Sequence, residues 1–214
     1  MKKEIVVARI KAEKVIAIIR ADSPDGLLDC ARALAAGGLT NIELTMTTPG
    51  AIDMLAKAAA ELPGLLFGLG TVLDPDTARA GILAGAKFIV TPAFRPEVIA
   101  VCRRRGVPVI PGALTPTEIV AAWEAGADAV KVFPADFFGP AYIKSLKSPL
   151  PQIDLVPTGG VTSKNIGAFL KAGAIACAAG SALVDGKSLK EKNWTAITAR
   201  AQEFVKAVAA AGVK

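Results

Sequence analysis

Short apolar runs alternate with longer alanine-rich segments along the chain. The runs are rich in β-branched and large apolar residues, and the segments between them place apolar positions three and four residues apart. Strand-like runs separated by helical segments are typical of βα units that build a parallel sheet. The pattern predicts eight strands, at residues 15–19, 41–45, 66–69, 88–91, 107–110, 129–133, 155–158 and 175–179.

The helical segments have recognisable ends. Gly106 follows three arginines where a helix is expected to stop, and Thr115 and Glu118 have the spacing of a capping box. Eight strands alternating with helices, without a linker, predict one α/β domain over residues 1–214, a single (β/α)8 TIM barrel. We expect a short N-terminal helical extension at about 1–14 and a C-terminal helix at about 188–210. An open doubly wound sheet is the alternative, but no Gly-x-Gly-x-x-Gly follows the first strand.

Composition narrows the functional classes. Although 52% of the residues are hydrophobic and the mean hydropathy is +0.46, no apolar run approaches the roughly 20 residues of a spanning helix, so we expect no membrane association.

The net charge is +6 and there is one tyrosine; basic and aromatic residues are not interleaved, which argues against nucleic-acid binding. Three scattered cysteines in apolar surroundings predict a reducing, cytoplasmic compartment.

Histidine is absent from the chain. This excludes Ser-His-Asp and Cys-His catalysis, imidazole acid–base chemistry and histidine-ligated zinc. The cysteines lack the spacing of metal ligands, so we expect neither a metal nor another cofactor. Proton transfer must therefore depend on carboxyl, amino, phenol or thiol groups, or on water.

Small, polar or rigid residues follow every predicted strand. In a βα barrel these positions share the C-terminal face, where the active site lies. The ring consists of Arg20, Thr45, Thr71, Thr91, Pro92, Pro111, Gly112, Pro134, Thr158, Gly159, Gly160, Gly180 and Ser181.

Strand alternation places two ionisable residues inside the barrel. Ile42 and Leu44 should face the helices, so Glu43 between them should point inward. The valines on either side of Lys131 should also face the helices, so Lys131 should point inward as well. A buried Lys131–Glu43 salt bridge that only stabilises the fold is one interpretation, although such pairs contribute little net stability. The other is catalysis: a desolvated lysine can attack a carbonyl carbon and form an imine, while a carboxyl group moves the protons.

Two glycine turns follow the last two strands. Gly159 and Gly160 come after the seventh strand, Gly180 and Ser181 after the eighth, and a helix is expected to follow each turn. Glycines allow backbone N–H groups to approach an anion, a helix N-terminus favours its charge, and the loops after these two strands are the recurrent phosphate site of this barrel. The sequence therefore predicts a phosphorylated ligand.

These residues occur within ordered motifs that resemble the class I (Schiff-base) 2-keto-3-deoxy-6-phosphogluconate (KDPG) aldolase / 4-hydroxy-2-oxoglutarate (KHG) aldolase family. The similarity runs from about residue 12 to residue 184 and includes IELT at 42–45, KVFPA at 131–135 and PTGGV at 157–161. Further matching motifs lie at 18–20, 36–38, 70–72, 89–92, 110–112, 115–118 and 180–183.

The resemblance implies a role for each site residue. Lys131 would be the Schiff-base nucleophile and Glu43 the general acid/base. Thr71, Pro92 and Phe133 would surround the pyruvate-derived part of the substrate, with Arg20 and Thr158 also binding substrate. Gly159, Gly160, Gly180 and Ser181 would hold the distal phosphate. The implied reaction splits 2-dehydro-3-deoxy-6-phosphogluconate into pyruvate and glyceraldehyde 3-phosphate, in a metal-independent enzyme that is typically a homotrimer.

One position departs from the family pattern. Several members carry an arginine after the catalytic glutamate, where it helps to hold the substrate carboxylate, and the matching position here is Thr47. Arg20 could supply the charge. The departure leaves KHG, or an epimeric sugar acid, as competing substrates.

Two other functional classes remain as alternatives. The first is a non-catalytic sugar-phosphate-binding barrel, or an engineered self-assembling scaffold built on an aldolase frame. The second is an isomerase, for which the usual Glu-plus-His pair is missing.

Overall fold

The computed structural model describes residues 1–213 and consists of parallel strands alternating with helices. The strands are β1 (Val15–Ile19), β2 (Asn41–Thr45), β3 (Leu66–Gly70), β4 (Phe88–Val90), β5 (Val109–Ile110), β6 (Gly112–Ala113), β7 (Val130–Val132), β8 (Leu155–Pro157) and β9 (Cys177–Ala179). The helices are α1 (Lys3–Glu13), α2 (Leu27–Ala36), α3 (Ala51–Glu61), α4 (Pro75–Leu83), α5 (Pro96–Arg105), α6 (Pro116–Glu124), α7 (Gly139–Lys147), α8 (Ile166–Lys171), α9 (Gly186–Lys190) and α10 (Trp194–Ala211).

The strands form two parallel sheets. Six strands are ordered β5-β4-β3-β2-β1-β9, and three are ordered β6-β7-β8. A parallel bridge between Thr158 and Ala178 connects the end of β8 with β9. Where one strand was expected at 107–110, two short strands flank Pro111, because proline has no N–H to donate to a ladder. The α/β class with a parallel sheet is thus confirmed.

The predicted C-terminal helix at about 188–210 is two helices. α9 and α10 are separated at Lys192, whose φ of 52° is left-handed and cannot continue a helix. The Asn193 side chain then caps α10 by accepting a hydrogen bond from the Ala196 N–H at 3.1 Å. The capping box predicted between Thr115 and Glu118 is present at the start of α6.

α1 covers the N-terminal end of the strands. Its Val6 and Ile10 side chains are buried in the same apolar cluster as the inward-facing residues of the strands. Glu13 accepts hydrogen bonds from the backbone N–H groups of Thr40 and Asn41, both at 2.9 Å. Since this end of the strands is closed, a ligand must approach from the C-terminal end. No helix among residues 1–213 has the length and apolarity needed to cross a bilayer.

Candidate active site

A cavity of about 440 Å³ opens at the C-terminal ends of the strands. Seven of the eleven residues predicted to form the site line its wall, and their common property is a position just after a strand. The predicted residues that line it are Arg20, Phe133, Thr158, Gly159, Gly160, Gly180 and Ser181. The sequence did not single out the remaining lining residues, which are Ile18, Val161, Thr162, Ala178, Ala182, Val184 and Gly186.

Thr71 and Pro92 follow neighbouring strands of the six-stranded sheet and are not part of the wall of this cavity. Thr71 has a φ of 59°, an uncommon left-handed conformation for a residue with a branched side chain. Pro92 lies against Gly112, since a Cβ at Gly112 would be 2.3 Å from the Pro92 carbonyl group. The structure thus places these two residues at the predicted rim but not against the main cavity.

Lys131 lies in the centre of β7. Val130 and Val132 belong to the apolar cluster between strands and helices, which turns Lys131 to the opposite face, as the alternation predicted. The residue is 6% exposed, and its Nζ lies 5.1 Å from the ring centroid of Phe133. Because Phe133 is 39% exposed and lines the cavity, the amine lies close to the cavity wall without being part of it.

Glu43 is buried on β2, with 1% of its surface exposed. Burial raises the pKa of this carboxyl group, and the positive charges of Lys131 and Arg20 oppose that effect without cancelling it. The Oε2 atom is buried without a hydrogen-bond partner. A proton is therefore retained by this carboxyl group to higher pH than by an exposed glutamate.

The purely structural salt bridge between Lys131 and Glu43 is not formed. Neither residue takes part in any of the ion pairs within residues 1–213. Two buried ionisable groups without a partner are costly to a fold. Their presence near one cavity favours a chemical role over a stabilising one.

Gly70, at the end of β3, makes room for the Glu43 carboxyl group, a relation that the sequence reading missed. A Cβ at Gly70 would be 1.9 Å from Glu43 Oε1 and 2.4 Å from Cδ. Two residues earlier on the same strand, a Cβ at Gly68 would meet the Phe88 ring at 2.3 Å. A glycine inside a strand marks a close approach of this kind, and that signal was available from the sequence.

We therefore expect Gly70→Ala to reduce the kcat of any reaction that depends on Glu43 by roughly 10-fold or more, because displacing a reacting group by about 1 Å has effects of this size. Gly68→Ala is the matched control, since it introduces the same methyl group on the same strand against an aromatic ring. Steady-state kinetics and thermal unfolding of both variants separate an effect on turnover from a loss of stability. Equal kcat values at equal loss of stability would contradict the role of Gly70.

The two glycine turns differ in their backbone conformation. Gly159 and Gly160 have φ values of 101° and 66°, which other residues rarely adopt, whereas Gly180 is not in the left-handed region. The helices begin later than expected, α8 at Ile166 and α9 at Gly186, so neither directly follows its turn. Anion binding here would therefore depend on the backbone N–H groups of the turns themselves.

Thr47, at the position where several relatives have arginine, is part of a hydroxyl pair. Its Oγ1 lies 2.9 Å from the Oγ1 of Thr45, which also donates to the Ile19 carbonyl oxygen. Arg20 is exposed, lines the cavity and is close enough to Glu43 to affect its pKa. The cationic side chain in the cavity wall is thus Arg20.

The α/β fold, with a buried lysine and a buried carboxyl group beneath an open cavity, has the arrangement required of a class I aldolase. Residues 6–200 match the model of the KDPG and KHG aldolase family. The chain belongs to this family.

Individual relatives agree with that assignment. The chain is 34% identical over 196 residues to the 2-dehydro-3-deoxy-phosphogluconate aldolase of Treponema pallidum, covering 91% of this chain and 93% of the relative. It is 36% identical to the 2-dehydro-3-deoxy-6-phosphogalactonate aldolase of Escherichia coli, covering 90% and 93%. A KDPG aldolase from Legionella pneumophila, solved with pyruvate captured as a covalent carbinolamine intermediate, has a TM-score of 0.86 and 31% identity, covering 92% of this chain and 96% of that one.

Proposed function

We propose that the protein is a class I aldolase that cleaves 2-dehydro-3-deoxy-6-phosphogluconate to pyruvate and glyceraldehyde 3-phosphate. The observation that carries this proposal is the buried Lys131 amine, which lies beside Phe133 of the cavity wall, forms no salt bridge and is near a buried Glu43 whose pKa is raised. Family membership supports the same reaction. The non-catalytic alternatives are less well supported, because a binding protein has no need of two unpaired buried ionisable groups.

In the proposed mechanism, the Lys131 amine attacks the C2 carbonyl carbon of the substrate and forms a carbinolamine. Protonated Glu43 gives its proton to the departing hydroxyl group, which leaves as water, and an iminium ion remains. Glu43, which is now a carboxylate, then takes the proton of the C4 hydroxyl group. The C3–C4 bond breaks, and its electron pair forms an enamine on the pyruvate-derived part. The aldehyde departs, C3 is protonated, and water releases pyruvate from Lys131.

The proposed roles of the remaining residues combine their positions with the family resemblance. Phe133 and Thr158 line the cavity and contact the substrate there. Thr71 and Pro92 lie outside the cavity wall, and their role around the pyruvate-derived part is proposed from the resemblance alone. Arg20 provides the positive charge that Thr47 does not, which supports binding of an anionic 2-oxo acid. The distal phosphate lies against the turns at Gly159 and Gly160 and at Gly180 and Ser181.

Substrate preference within the family is the least constrained part of the proposal. Because Thr47 replaces an arginine, KHG and the epimeric sugar acid remain competing substrates. Kinetics with these three 2-oxo acids, with and without phosphate, would rank them.

The architecture proposed for this function is a single-domain, closed (β/α)8 barrel that associates as a homotrimer. Closure is supported by the bridge between Thr158 and Ala178 and by the adjacency of β5 and β6 on either side of Pro111, which makes them two parts of one barrel strand. Three free, buried cysteines support a reducing, cytoplasmic location. Light scattering would test the trimer.

Borohydride trapping tests the proposed reaction directly. Incubation of the wild-type protein with pyruvate and borohydride should give a covalent adduct with the mass of reduced pyruvate, and the phosphorylated substrate should yield pyruvate in a coupled assay. Metal chelators should not alter either result. Failure to form an adduct would refute the Schiff-base mechanism.

Ser181→Asp tests the phosphate site. A carboxylate in the turn should raise KM for the phosphorylated substrate by about 5-fold or more, since two like charges at close range repel by at least ~1 kcal/mol. Formation of the trapped pyruvate adduct should be unchanged, because pyruvate has no phosphate. Ser145→Asp, on the exposed surface of α7, is the control and should leave KM unaltered. An unchanged KM in Ser181→Asp would remove this turn from the site.

A further inference from the structure

Arg200 of α10 connects the C-terminal helix to the proposed phosphate site. Its Nη1 donates a hydrogen bond to the Leu183 carbonyl oxygen at 3.1 Å and also pairs with the Asp185 carboxylate. Its Nη2 donates to Ser188 Oγ at 2.9 Å. One guanidinium group thus contacts Leu183 and Asp185, in the segment between β9 and α9, and Ser188 within α9.

The segment that Arg200 contacts contains the second glycine turn. The N–H groups of Leu183 and Val184 donate to the Gly180 carbonyl oxygen at 2.8 and 2.9 Å, so residues 180–184 form one compact turn. Gly180 and Ser181, at the start of this turn, line the cavity, whereas Arg200 does not. The hydrogen bond from Arg200 to the Leu183 carbonyl oxygen therefore holds the end of the turn that follows the cavity-lining residues Gly180 and Ser181.

Asp185 strengthens this connection. Its carboxylate accepts hydrogen bonds from the Ser188 backbone N–H at 2.8 Å and from Ser188 Oγ at 2.7 Å. These hydrogen bonds, with the charge of Arg200, lower the pKa of Asp185 to about 2, so the carboxylate is charged at neutral pH. The turn and the start of α9 are therefore joined to α10 by charged groups, which form the stronger hydrogen bonds.

The first glycine turn is held differently. Asn165 Nδ2 donates to the Gly160 carbonyl oxygen at 2.8 Å, and Asn165 Oδ1 accepts from the Thr162 N–H at 2.8 Å. These are local contacts within five residues of the turn. The second turn depends instead on a residue far along the chain.

We propose that Arg200 is a positioning residue for phosphate binding, which holds the Gly180–Ser181 turn against the distal phosphate without touching it. The inference rests on the proposed function, because it assumes that a phosphate occupies this turn. It assigns to α10 a role in substrate affinity that is distinct from its packing.

Packing of α10 has other sources. Ile197, Ala201 and Phe204 are buried in the main apolar cluster, and Thr198 Oγ1 donates to the Ala33 carbonyl oxygen of α2 at 2.9 Å. Thr198→Val removes this tertiary hydrogen bond from the same helix but does not affect the phosphate turn. It is thus the matched control for Arg200.

The experiment compares Arg200→Met, Arg200→Lys and Thr198→Val with the wild type. Arg200→Met should raise KM for the phosphorylated substrate by about 10-fold, the effect expected when one hydrogen bond to a charged group is lost. Arg200→Lys retains the charge but not the forked geometry of the guanidinium group, so it should give a smaller increase in KM. This variant also tests the proposal if Arg200→Met does not fold. Formation of the borohydride-trapped pyruvate adduct should be unchanged in both, and Thr198→Val should lower Tm with KM unaltered.

Three outcomes would overturn the proposal. If Ser181→Asp raises KM while neither Arg200 variant does, the phosphate site is correct and Arg200 does not position it. If the Arg200 variants slow adduct formation as much as they weaken use of the phosphorylated substrate, the residue has only a general structural role. Failure of Ser181→Asp itself to change KM would instead refute the phosphate site, and the role of Arg200 with it.

Discussion

Replacing Lys131 with methionine should reduce turnover by about 10⁴-fold or more and abolish the pyruvate adduct trapped by borohydride. Loss of a covalent nucleophile has effects of this size or larger in other enzymes, because the remaining binding groups cannot replace the covalent intermediate. Methionine preserves most of the volume of the lysine side chain, and its thioether is compatible with burial beside Phe133. Thermal unfolding should therefore show a folded protein.

A lysine at the opposite end of a strand provides the control. Lys87 immediately precedes β4, at the end of the sheet that faces away from the cavity. Lys87→Met should form the adduct at the wild-type rate, and peptide mapping should place the wild-type adduct on Lys131. An adduct of undiminished yield in Lys131→Met would show that another amine performs the reaction.

Glu43→Gln should slow turnover by about 10²-fold or more, the range expected when a general acid/base is removed. The amide keeps the size of the carboxyl group and its place beside Gly70, but it can neither give a proton to the departing hydroxyl group nor accept one. Turnover equal to that of the wild type would exclude Glu43 from proton transfer.

The same substitution should change the pH dependence of stability. The carboxyl group has an ordinary pKa of 4.5, and burial raises it in the folded state. As the pH rises above 4.5, the unfolded chain loses this proton while the folded protein retains it, so the free energy of unfolding falls until the raised pKa has been passed. Glutamine does not titrate, and the Tm of the variant relative to the wild type should therefore increase over this window. A difference in Tm that is independent of pH would indicate that the carboxyl group is not desolvated.

The sequence pattern was most informative where the strands are longest. β1 and β2 have the predicted bounds. Both are buried on both faces; β1 is an apolar run between Lys14 and Arg20, and in β2 the apolar Ile42 and Leu44 alternate with polar residues. The expected strand at 107–110 was wrong in its bounds, since Pro111 interrupts the ladder and moves the paired residues towards Gly112. A break at Lys192 divides the C-terminal helix, which periodicity alone did not indicate.

For the candidate site, the alternation of residues along β2 and β7 was sufficient to predict that Glu43 and Lys131 point to the inner face. What alternation could not give was the distance between the two side chains, and the structure shows that they do not form the salt bridge that remained one interpretation. The steric relation between Gly70 and Glu43 depends on two strands being adjacent. Likewise, the contact between Arg200 and the turn at Gly180 joins distant segments, so neither relation has a local sequence signal.

Closure of the N-terminal end by α1 gives the site a single entrance. Lys131 is buried beside Phe133, and Val6 and Ile10 fill the space at the N-terminal end of the inward-facing strand residues. In the proposed mechanism, the half of the substrate attached to Lys131 is therefore the deeper one, and the aldehyde half lies between it and solvent. Release must follow a fixed order in cleavage, aldehyde first and pyruvate last, and in the reverse direction pyruvate must load before the aldehyde.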